Sequence, residues 1–494
     1  MFESAELGQK VARDDFEQQL TEIRPRLLDA QRRLRETGRS VIIVVSGVEG
    51  AGKSEVVNRL HEWLDARGIQ TTAFWQDSEE ERERPRYWRF WRRLPPRGSI
   101  GIMFGSWYTA PIIDRVMGDM PQDTFDEEMY RIAFFEHELS EDGTLILKFW
   151  FHITKKEQKK RLEAREKKDG KKWGLNPEVK KFSRSYEKFL EVSERAIRMT
   201  DTADAPWHVI EASNARYRDL TVAQTVLQKL EELCAPRAVA PPAAPAEPAV
   251  AYAAPLSTIL DSVDMTASIS PEEYDGTIEE QQAKLSRHAW KAWNGKRSTV
   301  LLFEGWDAGG KGGAIRRAIA AIDARLYQVI SVAAPTDEER ARHYLWRFWR
   351  HLPRAGHVTI YDRSWYGRVL VERVEGFAKP EEWSRAYREI NDFEQQLVES
   401  GIILAKFWMN ITKEEQLRRF QEREVVPWKQ HKITEEDWRN REKWDAYEVA
   451  VNEMIERTST AAAPWTIVPA NDKHYARVKV LETVNKAMKR GLKG

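Results

Sequence analysis

Gly305-Trp306-Asp307-Ala308-Gly309-Gly310-Lys311-Gly312 follows one residue after Ser298-Thr299-Val300-Leu301-Leu302-Phe303, and a helical pattern follows in turn. A short apolar run feeding a glycine-rich turn that ends on lysine suits phosphate binding. The glycines let backbone amides approach phosphate oxygens, and the lysine adds a point charge. The chain carries this arrangement twice. Gly47-Val48-Glu49-Gly50-Ala51-Gly52-Lys53-Ser54 follows the run Val41-Ile42-Ile43-Val44-Val45. Lys53 and Lys311 lie 258 positions apart, and the same offset relates Arg89-Phe90-Trp91-Arg92 to Arg347-Phe348-Trp349-Arg350. It also relates Ser106-Trp107-Tyr108 to Ser364-Trp365-Tyr366, Lys148-Phe149-Trp150 to Lys406-Phe407-Trp408, and Pro206-Trp207 to Pro464-Trp465. An internal duplication of this length means two copies of one fold, and the differences between them locate the chemistry.

Around each loop the pattern is that of an α/β protein. Residues 1–38 read as a charged amphipathic helix, with Phe16, Leu20, Ile23 and Leu27 at helical spacing. The runs 41–45 and 298–303 suit buried parallel strands. Further strands are expected at 100–104 and 144–151, matched by 358–362 and 402–409. After the last of each set, Thr154-x-x-Glu157 and Thr412-x-x-Glu415 read as capping boxes that open helices. Strands alternating with helices imply a parallel sheet flanked by helices in each copy. The copies are expected at 1–232 and 257–494, joined by an Ala/Pro-rich linker at 233–256.

Bulk composition narrows the function. Lys and Arg number 79 against 78 Asp and Glu, a net charge of +1, so no global charge draws the chain to nucleic acid or a membrane surface. One cysteine, Cys234, excludes an intrachain disulfide and fits a reducing compartment. No segment is apolar enough to span a bilayer, so a soluble cytoplasmic protein is the expectation.

The two loops differ where a metal would sit. The residue after the lysine is usually Ser or Thr, whose hydroxyl helps to hold Mg²⁺. The second copy has Gly312 there, with Asp307 inside the loop and Asp362 at the end of a later strand instead. Two carboxylates suit Mg²⁺, which takes one or two such ligands together with water and substrate phosphates. The first copy keeps Ser54 but has Glu49, Phe104, Gly105 and Ala110 where the second has Asp307, Asp362, Arg363 and Arg368. A phenylalanine ligates no metal, and two guanidiniums are gone, so the first copy reads as catalytically dead.

The loop through Gly313, followed by Tyr361-Asp362-Arg363-Ser364-Trp365-Tyr366-Gly367-Arg368 and accompanied by Tyr344-Leu345-Trp346-Arg347-Phe348-Trp349-Arg350-His351-Leu352-Pro353, resembles the polyphosphate kinase 2 family. The resemblance covers nearly the whole chain, twice over. It implies two tandem P-loop kinase-like domains with helical lids and Mg²⁺ dependence. It also implies the tandem branch of the family, which makes ADP from AMP and inorganic polyphosphate. AMP as acceptor rests on the resemblance alone.

Phosphoryl transfer is mostly alignment and charge neutralisation, and the residues fit that demand. Lys311 would bridge donor and acceptor phosphates, Asp307 and Asp362 would hold the metal, and Arg363 and Arg368 would stabilise the transferred group. Gly305, Gly309, Gly310, Gly312 and Gly313 form the phosphate cradle. Arg418, Arg419 and Arg423, then Lys429, His431 and Lys432, read as a basic lid over a polyanionic donor. Trp346 and Trp349 read as core. Two alternatives remain at this stage: a nucleoside monophosphate kinase with a nucleoside triphosphate donor, and a non-enzymatic binding protein. Self-association is left open.

Overall fold

The computed structural model describes residues 1–169, 185–235, 258–427, 430 and 433–493. The expected linker at 233–256 therefore falls almost wholly outside the described residues, as do Lys429, His431 and Lys432. One compact unit gathers Met1–Asp77, Arg89–Ala243 and Asp337–His343, and a second gathers Ser78–Trp88, Ala244–Thr336 and Tyr344–Gly494. The two short segments that group away from their own repeat hold nearly equivalent positions in it.

The first unit is built on five parallel strands: β1 (Ser40–Gly47), β2 (Ile69–Ala73), β3 (Ile100–Phe104), β4 (Thr144–His152) and β5 (Trp207–Glu211). Their order is β2-β3-β1-β4-β5. The second unit repeats it with β6 (Thr299–Gly305), β7 (Tyr327–Ser331), β8 (Val358–Asp362), β9 (Ile403–Asn410) and β10 (Trp465–Pro469), in the order β7-β8-β6-β9-β10. In both units the first strand lies centrally and the chain departs to opposite sides of it. The crevice beyond the strand ends at such a switch point is where α/β sheets receive ligands. Register completes the placement: Phe303 pairs with Asp362 and Gly305 with Met409, so the acid at the end of β8 lies beside the start of the loop.

Burial explains the long apolar runs. Val41 to Val45 and Val300 to Phe303 are almost wholly buried, as central strands covered on both faces require. The N-terminal helix is shorter than its pattern suggested, at Arg13–Leu34, and buries Ile23 and Leu27. Each expected capping box forms only its threonine half. Thr154 and Thr412 accept from the amides of Glu157 and Glu415, but those glutamates turn to arginines instead. Trp346 and Trp349 are 4% and 1% exposed, and they pack in the core.

The motifs shared by both copies form a buried polar network. Lys406 donates to Glu394 at 2.7 Å, to Tyr366 Oη at 2.8 Å and to the Thr458 carbonyl at 2.8 Å. Trp365 Nε1 and Tyr366 Oη donate to the other oxygen of Glu394. Lys148, Glu136, Tyr108, Trp107 and Thr200 repeat these bonds in the first unit. Both lysines and both glutamates are buried, and each is paired and hydrogen-bonded, as burial of ionisable groups requires.

Candidate active site

The loop after β6 turns on two glycines whose geometry is demanding. A side chain at Gly305 would collide with the Met409 backbone on the neighbouring strand, and Gly310 adopts φ +103° as it opens the helix Lys311–Ile319. Lys311 Nζ folds back to donate to the carbonyls of Gly305 and Trp306 at 2.6 and 3.2 Å. Among the described residues no carboxylate reaches it. In the first unit Lys53 makes the same carbonyl contacts but is also paired with Glu49 at 3.3 Å.

Asp307 is drawn the other way. Its carboxylate accepts from Arg363 at 3.2 Å and from Asn440 at 2.9 Å. Arg363 adopts φ +64° and Ala308 φ +60°, left-handed conformations that cost a residue with a Cβ. The equivalent positions in the first unit are Gly105 and Gly50, with φ +69° and +82°. Strain is thus kept only in the copy that carries the acids. Asp362, half-buried at the end of β8, accepts no hydrogen bond from a side chain among the described residues. Arg368 stacks over Tyr344 and pairs with Glu372 at 3.1 Å.

Glu304 was not among the residues expected here. It is 5% exposed, at the end of β6, and accepts from Ser364 Oγ at 2.7 Å. Burial pushes its carboxyl above the ordinary range, opposed by the Ser364 hydroxyl and by the charges of Lys311 and Arg363. The signal was available, since the first copy has Ser46 at this position. Asn440, Trp444 and Tyr447 also line this cleft, and Trp444 stacks on Trp306 with ring centres 3.7 Å apart. Their counterparts Phe182, Tyr186 and Phe189 differ, so comparison of the copies points to them as well.

On the other face of the loop lies a cavity of about 250 Å³ bounded by Ala308, Gly309, Gly310 and Gly313 and by Arg419, Arg423, Lys473 and Arg477. Of the expected lid arginines, Arg418 is exposed and paired with Glu415, whereas Arg419 is 3% exposed. Arg419 bonds Glu415 and the carbonyls of Ala308, Ala470 and Asn471. It therefore braces the loop against the strand beyond, and Arg423 lines the cavity beside it. Gly312 faces open space.

The chain matches the polyphosphate kinase 2 family over residues 10–237 and again over 268–493. It belongs to the polyphosphate kinase 2 family. A polyphosphate:AMP phosphotransferase of Pseudomonas aeruginosa is 48% identical, with 100% of this chain and 99% of the relative covered. A polyphosphate:AMP phosphotransferase of Acinetobacter johnsonii is 38% identical over 94% of this chain and 95% of its own. A crystal structure of a polyphosphate kinase 2 from Pseudomonas aeruginosa superposes with a TM-score of 0.89 at 46% identity, covering 100% of this chain and 99% of that one. Both halves are thus polyphosphate kinase 2 repeats, each a parallel α/β domain. Among the described residues no helix is long and apolar enough to cross a membrane.

Proposed function

We propose that this chain transfers a phosphoryl group from inorganic polyphosphate to AMP, giving ADP, and that the repeat at 257–494 does the chemistry while that at 1–232 is degenerate. The observation that carries the reading is that the loop from Gly305 to Gly313 borders two unlike openings, one lined by Ala308 to Gly310 and the other by Asp307 and Lys311, supported by the names of the full-length relatives. The cavity bearing Arg419, Arg423, Lys473 and Arg477 suits a polyanionic donor, and the cleft bearing Asp307 and Arg363 suits an acceptor phosphate. A loop lysine held by carbonyls can exchange them for phosphate oxygens.

An AMP phosphate has a second pKa of about 6 and is largely dianionic at neutral pH, so it attacks without a protein base. Accordingly no histidine lines either opening among the described residues. Arg363 and Arg368 would stabilise the transferred group, and Lys311 would hold donor and acceptor in line. The carboxylates of Asp307 and Asp362 fit Mg²⁺, being hard oxygen donors, one of them without a side-chain partner among the described residues. Bound there, the ion would neutralise phosphate oxygens.

Incubation with AMP, Mg²⁺ and polyphosphate in the absence of ATP tests the proposal. ADP is expected. ADP formed only when a nucleoside triphosphate is supplied would establish the conventional monophosphate kinase instead.

A further inference from the structure

The phosphate loop of the first unit has the same backbone turn as its active counterpart, with Gly52 at φ +89° opening the helix Lys53–Trp63. What borders it is different. In the second unit the donor-side cavity is walled by Gly313, Ala476 and Arg477. The equivalent positions in the first unit hold Glu55, Arg218 and Asp219. Arg218 is 3% exposed and its guanidinium lies against Gly52 so closely that not even a methyl group would fit there. It donates through Nη1 to the Ala51 carbonyl at 3.2 Å and through Nε and Nη2 to Asp219 at 2.8 and 2.7 Å. Asp219 also faces Arg59 at 3.6 Å.

We infer that Arg218 is a stopper: its side chain fills the place by which an oligophosphate would enter the first unit's loop, leaving there a closed anion site. The inference rests on the reading of the second unit's cavity as the donor site. The charges agree with it. Lys53 is neutralised by Glu49 and Arg218 by Asp219, so the cations that an anion would seek are already satisfied. An arriving phosphate would have to draw the guanidinium off a buried carboxylate, leaving that carboxylate short of its main partner. In the second unit alanine leaves the space open, and Arg477 replaces the acid with a cation. The first repeat is therefore closed by filling as well as by lost ligands. Restoring three residues of the other copy should reopen it.

The test is calorimetric titration of the full chain with tripolyphosphate. Wild type should take up one tripolyphosphate per chain, and Lys53→Ala should leave that number unchanged. The chain carrying Glu55→Gly, Arg218→Ala and Asp219→Arg should take up one more, and adding Lys53→Ala should abolish the extra site. A rebuilt chain that melts as wild type does and gains no site overturns the stopper. So does a wild type in which Lys53→Ala removes a site, a measurement that needs no buried substitution. Wild type binding no tripolyphosphate would overturn the donor reading of the second unit instead, and a gain from none to one in the rebuilt chain would still support the stopper.

Discussion

Arg363 holds a backbone conformation that favours glycine, and it spends that strain to aim a guanidinium at Asp307. Arg363→Gly, which copies Gly105 of the first repeat, should therefore lower turnover by ~100-fold, the usual cost of removing one electrostatic stabiliser. The same change should leave the melting temperature unchanged or slightly higher, because the left-handed position no longer carries a Cβ. A loss of both activity and stability would show that the strain is not the cost of function. Glu304 invites a second substitution. Ser364 donates to it while accepting the amide of Tyr366, so the pair ties the loop strand to the segment bearing Asp362, Arg363 and Arg368. Glu304→Gln keeps an acceptor for Ser364 and should retain most of kcat/KM, whereas Glu304→Ala should lose ~100-fold through misplacement of those groups. Equal losses in both variants would assign the effect to charge. Asp307, Lys311, Asp362 and Arg363 were legible in the sequence because a loop motif or a difference between the copies marked them. Glu304 differed too, but it sits at the end of the apolar strand run, where a charge reads as a boundary.

The elements were legible where hydrophobicity was dense. The central strands β1 and β6, and the long β4 and β9, announce themselves as apolar runs. The outer strands β2, β5, β7 and β10 do not. Ile69–Ala73 and Tyr327–Ser331 are mixed in exposure because edge strands are covered on fewer sides, and five residues of mixed polarity carry little period. The expected lid rested only on a charge pattern, and Arg419 shows the limit of that: spacing placed it on a helical face, but burial and three backbone carbonyls made it a brace. The Ser-Trp-Tyr and Lys-Phe-Trp motifs make the opposite case, since their recurrence in a copy without the acids marks them as framework. Removing one partner of the buried pair should be severe. Lys406→Met should destabilise the second unit by about 3–5 kcal/mol, because Glu394 would be left buried without its cation. Chemical denaturation measures this, and adding Glu394→Gln should recover part of the loss. A single variant as stable as wild type would mean that water reaches Glu394.

At the scale of the whole molecule, duplication makes the chain its own control. Residues held in both repeats include the buried network, glycines of the loop and its lysine, whereas Asp307, Asp362, Arg363 and Arg368, proposed for the chemistry, are held in one. The second repeat has the acids, the strained arginine and a lysine free of carboxylates among the described residues. The first has Phe104 for Asp362, Glu49 against Lys53, and Arg218 across the loop. Equivalent substitutions should therefore have unequal consequences. Lys311→Ala should cost ~100-fold or more in turnover, since on the proposed mechanism the loop loses the charge that would bridge both phosphates. Lys53→Ala should keep turnover within about two-fold of wild type, because the charge it removes is already matched by Glu49 and serves no phosphate. Both variants need the melting curve of wild type for the comparison to count, and the carbonyl contacts shared by the two lysines make their structural costs similar. Matching losses of turnover in two folded variants would mean that both loops serve the reaction, and the assignment of chemistry to the second repeat would fall.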